Sequence, residues 1–126
     1  MLLPFTPLQC QAFACYHRPV PSTTRLTLVR HGTTDANQEG LFLGQTDVPL
    51  HEVGRREAEA VAARLADVSV ELIVGSDLLR AKETAGDIDR SQAPPLALKI
   101  DARVQGIHLG HLDCQTAEKA HGHSPG

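Results

Sequence analysis

The sequence predicts an α/β domain: three layers, α/β/α, around a mostly parallel sheet. Three short apolar runs, 26–29, 71–75 and 96–100, have the length and residue types of strands. The stretches between them read as helices. Strand–helix–strand–helix–strand order makes the strands parallel, with a helix in each crossover.

Residues 1–25 stand apart from that pattern. Pro4, Pro7, Pro19 and Pro21 break any helix or central strand. No acidic residue precedes Asp35, and Arg18, Arg25 and Ser22-Thr23-Thr24 give the segment a faint likeness to an organelle transit peptide. A disordered extension is the favoured expectation. Leu26 to Val29 is the first strand, and its lack of alternation predicts cover on both faces. It runs into Arg30, His31 and Gly32, the place where open α/β sheets bind ligands. Gly32 permits close backbone approach or a positive φ. Residues 32–53 form a loop long enough to be functional.

Gly54 opens a helix expected to run to about Asp67. Ala58, Val61, Ala62 and Leu65 recur at i, i+3, i+4 and i+7 and make its core-facing stripe. Arg55, Arg56, Glu59 and Arg64 form its solvated face. Glu71 to Gly75 is the second strand, delivering Ser76 and Asp77 as caps for a helix over 78–89. Pro94 and Pro95 stop that helix. Leu96, Leu98 and Ile100 alternate along a third strand.

The 126 residues suffice for one domain. A net charge of −3 and only four aromatic residues, Phe5, Phe13, Tyr16 and Phe42, argue against a nucleic-acid surface. No run is long enough to span a membrane. Cys10, Cys15 and Cys114 form no framework, which suggests reduced thiols and a cytoplasmic setting. His108, His111, His121 and His123 match no closed metal-site spacing and read as part of a polar segment.

From Leu26 to Ala85 the motifs resemble those of the histidine phosphatase superfamily, which includes the phosphoglycerate mutases. A strand ends in Arg30-His31-Gly32, followed by Thr34 and Asn37. Gly40, Gly44, Asp47, Pro49 and Leu50 keep the spacing of the next motif, and Gly54 leads an Ala-rich helix. Ser76, Asp77, Leu78, Arg80, Ala81, Thr84 and Ala85 make the last. The resemblance implies a phosphoglycerate mutase-like fold and a phosphoester phosphatase or phosphomutase working through a phosphohistidine at His31. It assigns substrate or phosphate contacts to Arg30, Asn37, Leu43, Gly44 and Arg80. Leu43-Gly44-Gln45 leans towards the phosphatase branch.

The residue chemistry agrees. Phosphoryl transfer needs a nucleophile, neutralisation of the phosphate and a proton for the leaving oxygen. Neutral imidazole is the nucleophile, and Arg30 and Arg80 favour that form of His31. One ring nitrogen attacks while the other donates to a carbonyl. Guanidinium forks match phosphate oxygens, so no metal and no cofactor is expected. The expected partner is a small phosphorylated substrate or phosphate; oligomeric state is open.

Two departures from the family pattern bear on turnover. Gly106 stands where the family carries its general-acid Glu, with His108, His111 and Asp113 as neighbouring substitutes. No apolar strand precedes His121-Gly122, so the family's second His has no counterpart. The expected organisation is therefore an extension (1–25), a partial histidine phosphatase-like domain (26–113) and a polar tail (114–126). The alternatives to an enzyme are a non-catalytic phosphate-binding or interaction module and a truncated inactive product.

Overall fold

A computed structural model describes residues 23–121. The extension over 1–22 and residues 122–126, including His123, lie outside the described residues. The elements in chain order are α1 (Asp35–Gln38), α2 (Glu52–Leu65), β1 (Val74–Gly75), α3 (Leu79–Ser91), β2 (Lys99–Ile100) and α4 (Ala117–His121). Two 3₁₀ turns, Ala102–Val104 and Gly110–Leu112, join β2 to α4.

Helices α2 and α3 form the centre of the fold by packing on each other. Ala58 and Ala62 of α2 are 1% and 5% exposed, and their small side chains let the helices approach closely. Thr84 and Ile88 of α3 are buried, while Val61 and Leu65 are half-buried at the edges. The expected solvated face of α2 is exposed. Arg55 reaches across to Glu83 of α3 at 3.4 Å, a surface pair worth at most about 1 kcal/mol. Helix α2 begins two residues before Gly54, because His51 caps it: Nδ1 accepts the Val53 N–H at 3.1 Å.

Strands β1 and β2 are parallel, as a helical crossover requires, with Val74 opposite Lys99 and Gly75 opposite Ile100. Each is shorter than the sequence pattern suggests. A Cβ at Gly75 would lie 3.3 Å from that of Ala85, so the glycine lets α3 sit close over the sheet.

The first expected strand is a correction. Leu26 to Val29 forms no strand, and Leu26 and Leu28 are 77% and 85% exposed. A strand exists only through its ladder. Among the described residues no backbone–backbone hydrogen bond joins 24–30 to the rest of the chain. The apolar run records what the segment can bury; it does not supply the neighbour.

Residues 114–116 are likewise more than the head of a polar tail. Cys114 donates its N–H to the Phe42 carbonyl at 2.7 Å, Phe42 donates to Gln115 at 2.8 Å, and Leu41 bridges Thr116 antiparallel.

Candidate active site

The turn after Val29 is held from three sides. Gly32 donates its N–H to Thr84 Oγ1 at 3.1 Å, and that hydroxyl donates to the Arg80 carbonyl at 2.9 Å. His51 donates its N–H to the Thr33 carbonyl at 2.9 Å. The Thr33 N–H donates to Glu57 Oε2 at 2.8 Å. The turn also lies directly on the first turn of α2. A Cβ at Gly32 would fall 2.3 Å from the Gly54 carbonyl oxygen, and one at Gly54 would fall 2.0 Å from that of Thr33. Close approach is thus the reason for glycine at both positions.

That clamp fixes His31. Its Nδ1 lies 2.7 Å from the Gly32 carbonyl oxygen. A carbonyl can only accept, so Nδ1 carries the proton and Nε2 keeps the lone pair. Burial pushes the His31 pKa below 6.5; the Gly32 bond opposes this, and the charges of Arg80 and Arg30 add to the lowering. The ring is therefore neutral at pH 7.

Asn37 is oriented by a capping box at α1. Thr34, fully buried, donates its N–H at 3.1 Å and its hydroxyl at 3.0 Å to Asn37 Oδ1, and the Asn37 N–H returns to Thr34 Oγ1 at 3.3 Å. With the carbonyl end committed, the amide NH₂ is the end left for a ligand.

Arg30, His31 and Asn37 line one open cavity of about 500 Å³, with Thr33, Gly40, Leu41, Phe42 and Glu57 completing its wall. Glu57 has no role in the sequence reading. The available signal was its position three residues after Gly54, on the helix face that meets Thr33. The Thr33 hydrogen bonds hold its carboxylate below the usual range, with Arg30 adding to the effect against a small opposing burial.

Leu43, Gly44 and Arg80 are not among the residues lining that cavity. Arg80 is 4% exposed and donates to the Thr46 carbonyl at 2.8 Å and the Gly44 carbonyl at 2.6 Å. Burial lowers its pKa, while the charges of Asp113 and Asp47 oppose this. Gly44 in turn donates its N–H to Asp113 Oδ1 at 2.8 Å. Gln45 N–H, Thr46 N–H and the Thr46 hydroxyl reach Asp113 Oδ2 at 3.2, 3.0 and 2.8 Å. Burial would raise the Asp113 pKa, but these bonds outweigh it and hold the group below the usual range. Asp113 is therefore an ionised clasp, which removes it as a substitute acid.

The expected cap of α3 is also corrected. Its N-cap is Leu78, without a side-chain cap bond, and Asp47 Oδ1 accepts the Leu79 N–H at 2.6 Å. Asp77 instead accepts from Gln105. Gly106 is exposed, and a Cβ there would meet nothing within 4 Å. Among the described residues, no three His, Cys, Asp or Glu side chains gather as a metal site needs.

The family model described as "Histidine phosphatase superfamily (branch 1)" matches residues 26–126. The chain belongs to the histidine phosphatase superfamily. It is 37% identical over 102 residues to glucosyl-3-phosphoglycerate phosphatase of Mycobacterium tuberculosis, spanning 81% of this chain and 45% of that protein. It is 36% identical over 97 residues to the probable phosphoglycerate mutase GpmB of Escherichia coli, spanning 73% of this chain and 44% of that one. The structure of the mycobacterial glucosyl-3-phosphoglycerate phosphatase with VO3 matches at 37% identity and a TM-score of 0.71, covering 77% of this chain and 46% of that chain. The chain thus spans a little under half the length of these histidine phosphatases, and the α/β class with its parallel sheet is theirs. Among the described residues no helix is long and apolar enough to cross a membrane.

Proposed function

We propose that the Arg30–His31–Asn37 cavity binds a phosphoester and that His31 Nε2 accepts its phosphoryl group. The tautomer of His31 is the observation that carries this reading: Nδ1 is tied to Gly32, leaving Nε2 free beside Arg30. The Nε2 lone pair attacks phosphorus as the bond to the alcohol oxygen breaks. Arg30 and the Asn37 amide stabilise the charged oxygens. Arg80, buried against the Thr46 and Gly44 carbonyls, contributes its field from behind the cavity wall, and Leu43 and Gly44 shape the loop it grips. The alcohol leaves with a proton from water, since Gly106 holds none. Water then cleaves the P–N bond, releasing phosphate and restoring His31.

Gly106 supports a second reading, a module that binds phosphate with little turnover. Removing a positioned acid costs roughly 10²–10⁴ in rate. Both readings share the phosphate site.

A reactive phosphodonor such as acetyl phosphate tests the first. One label is expected, acid-labile and base-stable, and lost in His31→Ala. Because the His31 pKa lies below 6.5, the nucleophile stays neutral and labelling persists as pH falls just under that value. Label retained in His31→Ala would sink the assignment. Vanadate binding that weakens with salt, and in Arg30→Ala, is the companion measurement.

A further inference from the structure

The cavity beside His31 carries its charge unevenly. Among the described residues Arg30 is the wall residue with positive charge, and the phosphate claims it. Arg80 is turned into the 44–46 loop. The other charged wall residue is Glu57. Its carboxylate takes hydrogen bonds from the Thr33 N–H and side chain, and, being exposed, keeps further lone pairs for a ligand's donor. Phe42, 44% exposed, gives the same cavity an aromatic wall.

Resting on the phosphoester reading above, we propose that Glu57 selects the alcohol part of the substrate. The favoured class is a phosphomonoester whose alcohol carries an ammonium or hydroxyl donor and no carboxylate. A donor can bond the carboxylate's remaining lone pairs, and an ammonium also gains from the Phe42 ring. A phosphorylated hydroxy acid brings a second anion towards an ionised carboxylate, with no further cation among the described residues of the wall. At this exposed site one such like-charge contact changes affinity by about fivefold, and the ammonium's attraction adds to the contrast. This sets the chain apart from relatives whose names include phosphoglycerate.

Calorimetry on the full 126-residue chain tests this with three probes: inorganic phosphate, O-phosphoethanolamine and 3-phosphoglycerate. Phosphoethanolamine should bind about tenfold more tightly than 3-phosphoglycerate. Glu57→Gln keeps a carbonyl acceptor for Thr33 while removing the charge, and should shrink the ratio to about twofold. Glu57→Lys should reverse it. Phosphate binding with equal or stronger 3-phosphoglycerate binding overturns the proposal alone. So does a preference that survives in both variants. If no probe binds, including phosphate, the underlying phosphate site falls and the proposal with it.

Discussion

Gly106 is the residue where the proposed chemistry lacks a proton donor, and it is also a residue with room for one. A Cβ there meets nothing within 4 Å. The backbone is held on one side, where the Gly106 carbonyl accepts from Gln45 Nε2 at 3.1 Å. Gly106→Glu should therefore fold and speed phosphate release from an alkyl phosphoester by about 10². An aryl phosphate, whose leaving group needs no proton, should be nearly unaffected. Equal acceleration of both would show that the new carboxyl does not act as an acid. Arg30, His31 and Asn37 were legible as candidates because they belong to one short run of sequence, although the turn they flank is held by Thr84, His51 and Glu57 from far along the chain. Glu57 was not: its part depends on a close approach between two glycine-bearing turns more than twenty residues apart.

The loop from Leu41 to Leu50 is held by residues far away in sequence. Asp113 binds its N–H groups, Arg80 its carbonyls, and Asp47 returns the favour by capping α3. Periodicity revealed α2, and the prolines beyond α3 bounded that helix, because both signals are local. They could not reveal these caps and clasps, since His51 is an uncommon cap and Asp47 lies 32 residues from Leu79. Asp113→Asn keeps the shape of the side chain but loses the charge and half its acceptors. Unfolding should become easier by about 2–3 kcal/mol, the size of a few charge-assisted bonds at a part-exposed site. The sign with pH follows from the lowered Asp113 pKa. Its stabilisation is present above the ordinary value of 3.8 and is lost as pH falls through the lower folded value. Denaturant melts at pH 7 and pH 3 should show the gap between wild type and variant narrowing at the lower pH. A constant gap would mean that the carboxylate's charge is not what holds the loop.

On the scale of the molecule, the helix pair is covered and the sheet is not. Among the described residues the sheet has two strands of two residues each, below what stands alone in water. Val74 and Ile100 are 44% and 42% exposed, and the Leu26–Val29 run lies open beside the site it leads into. The apolar run predicted a strand covered on both faces there, and the family resemblance predicted a strand. The prediction failed because a strand is a property of a pair, and only one member of the pair is legible in its own residues. Free backbone groups beside exposed β-formers are a template for pairing with another chain. Domains hold only about 5–15 kcal/mol in reserve, so the 126-residue chain is expected to be marginal alone and to self-associate as concentration rises. Sedimentation velocity should show mass increasing with concentration, and thermal unfolding should be broad. Leu28→Lys, which places a charge on an 85% exposed position without touching α2 or α3, should suppress association while leaving helical circular dichroism intact. A monomer at every concentration with one sharp, reversible transition would mean that the open run costs the fold nothing.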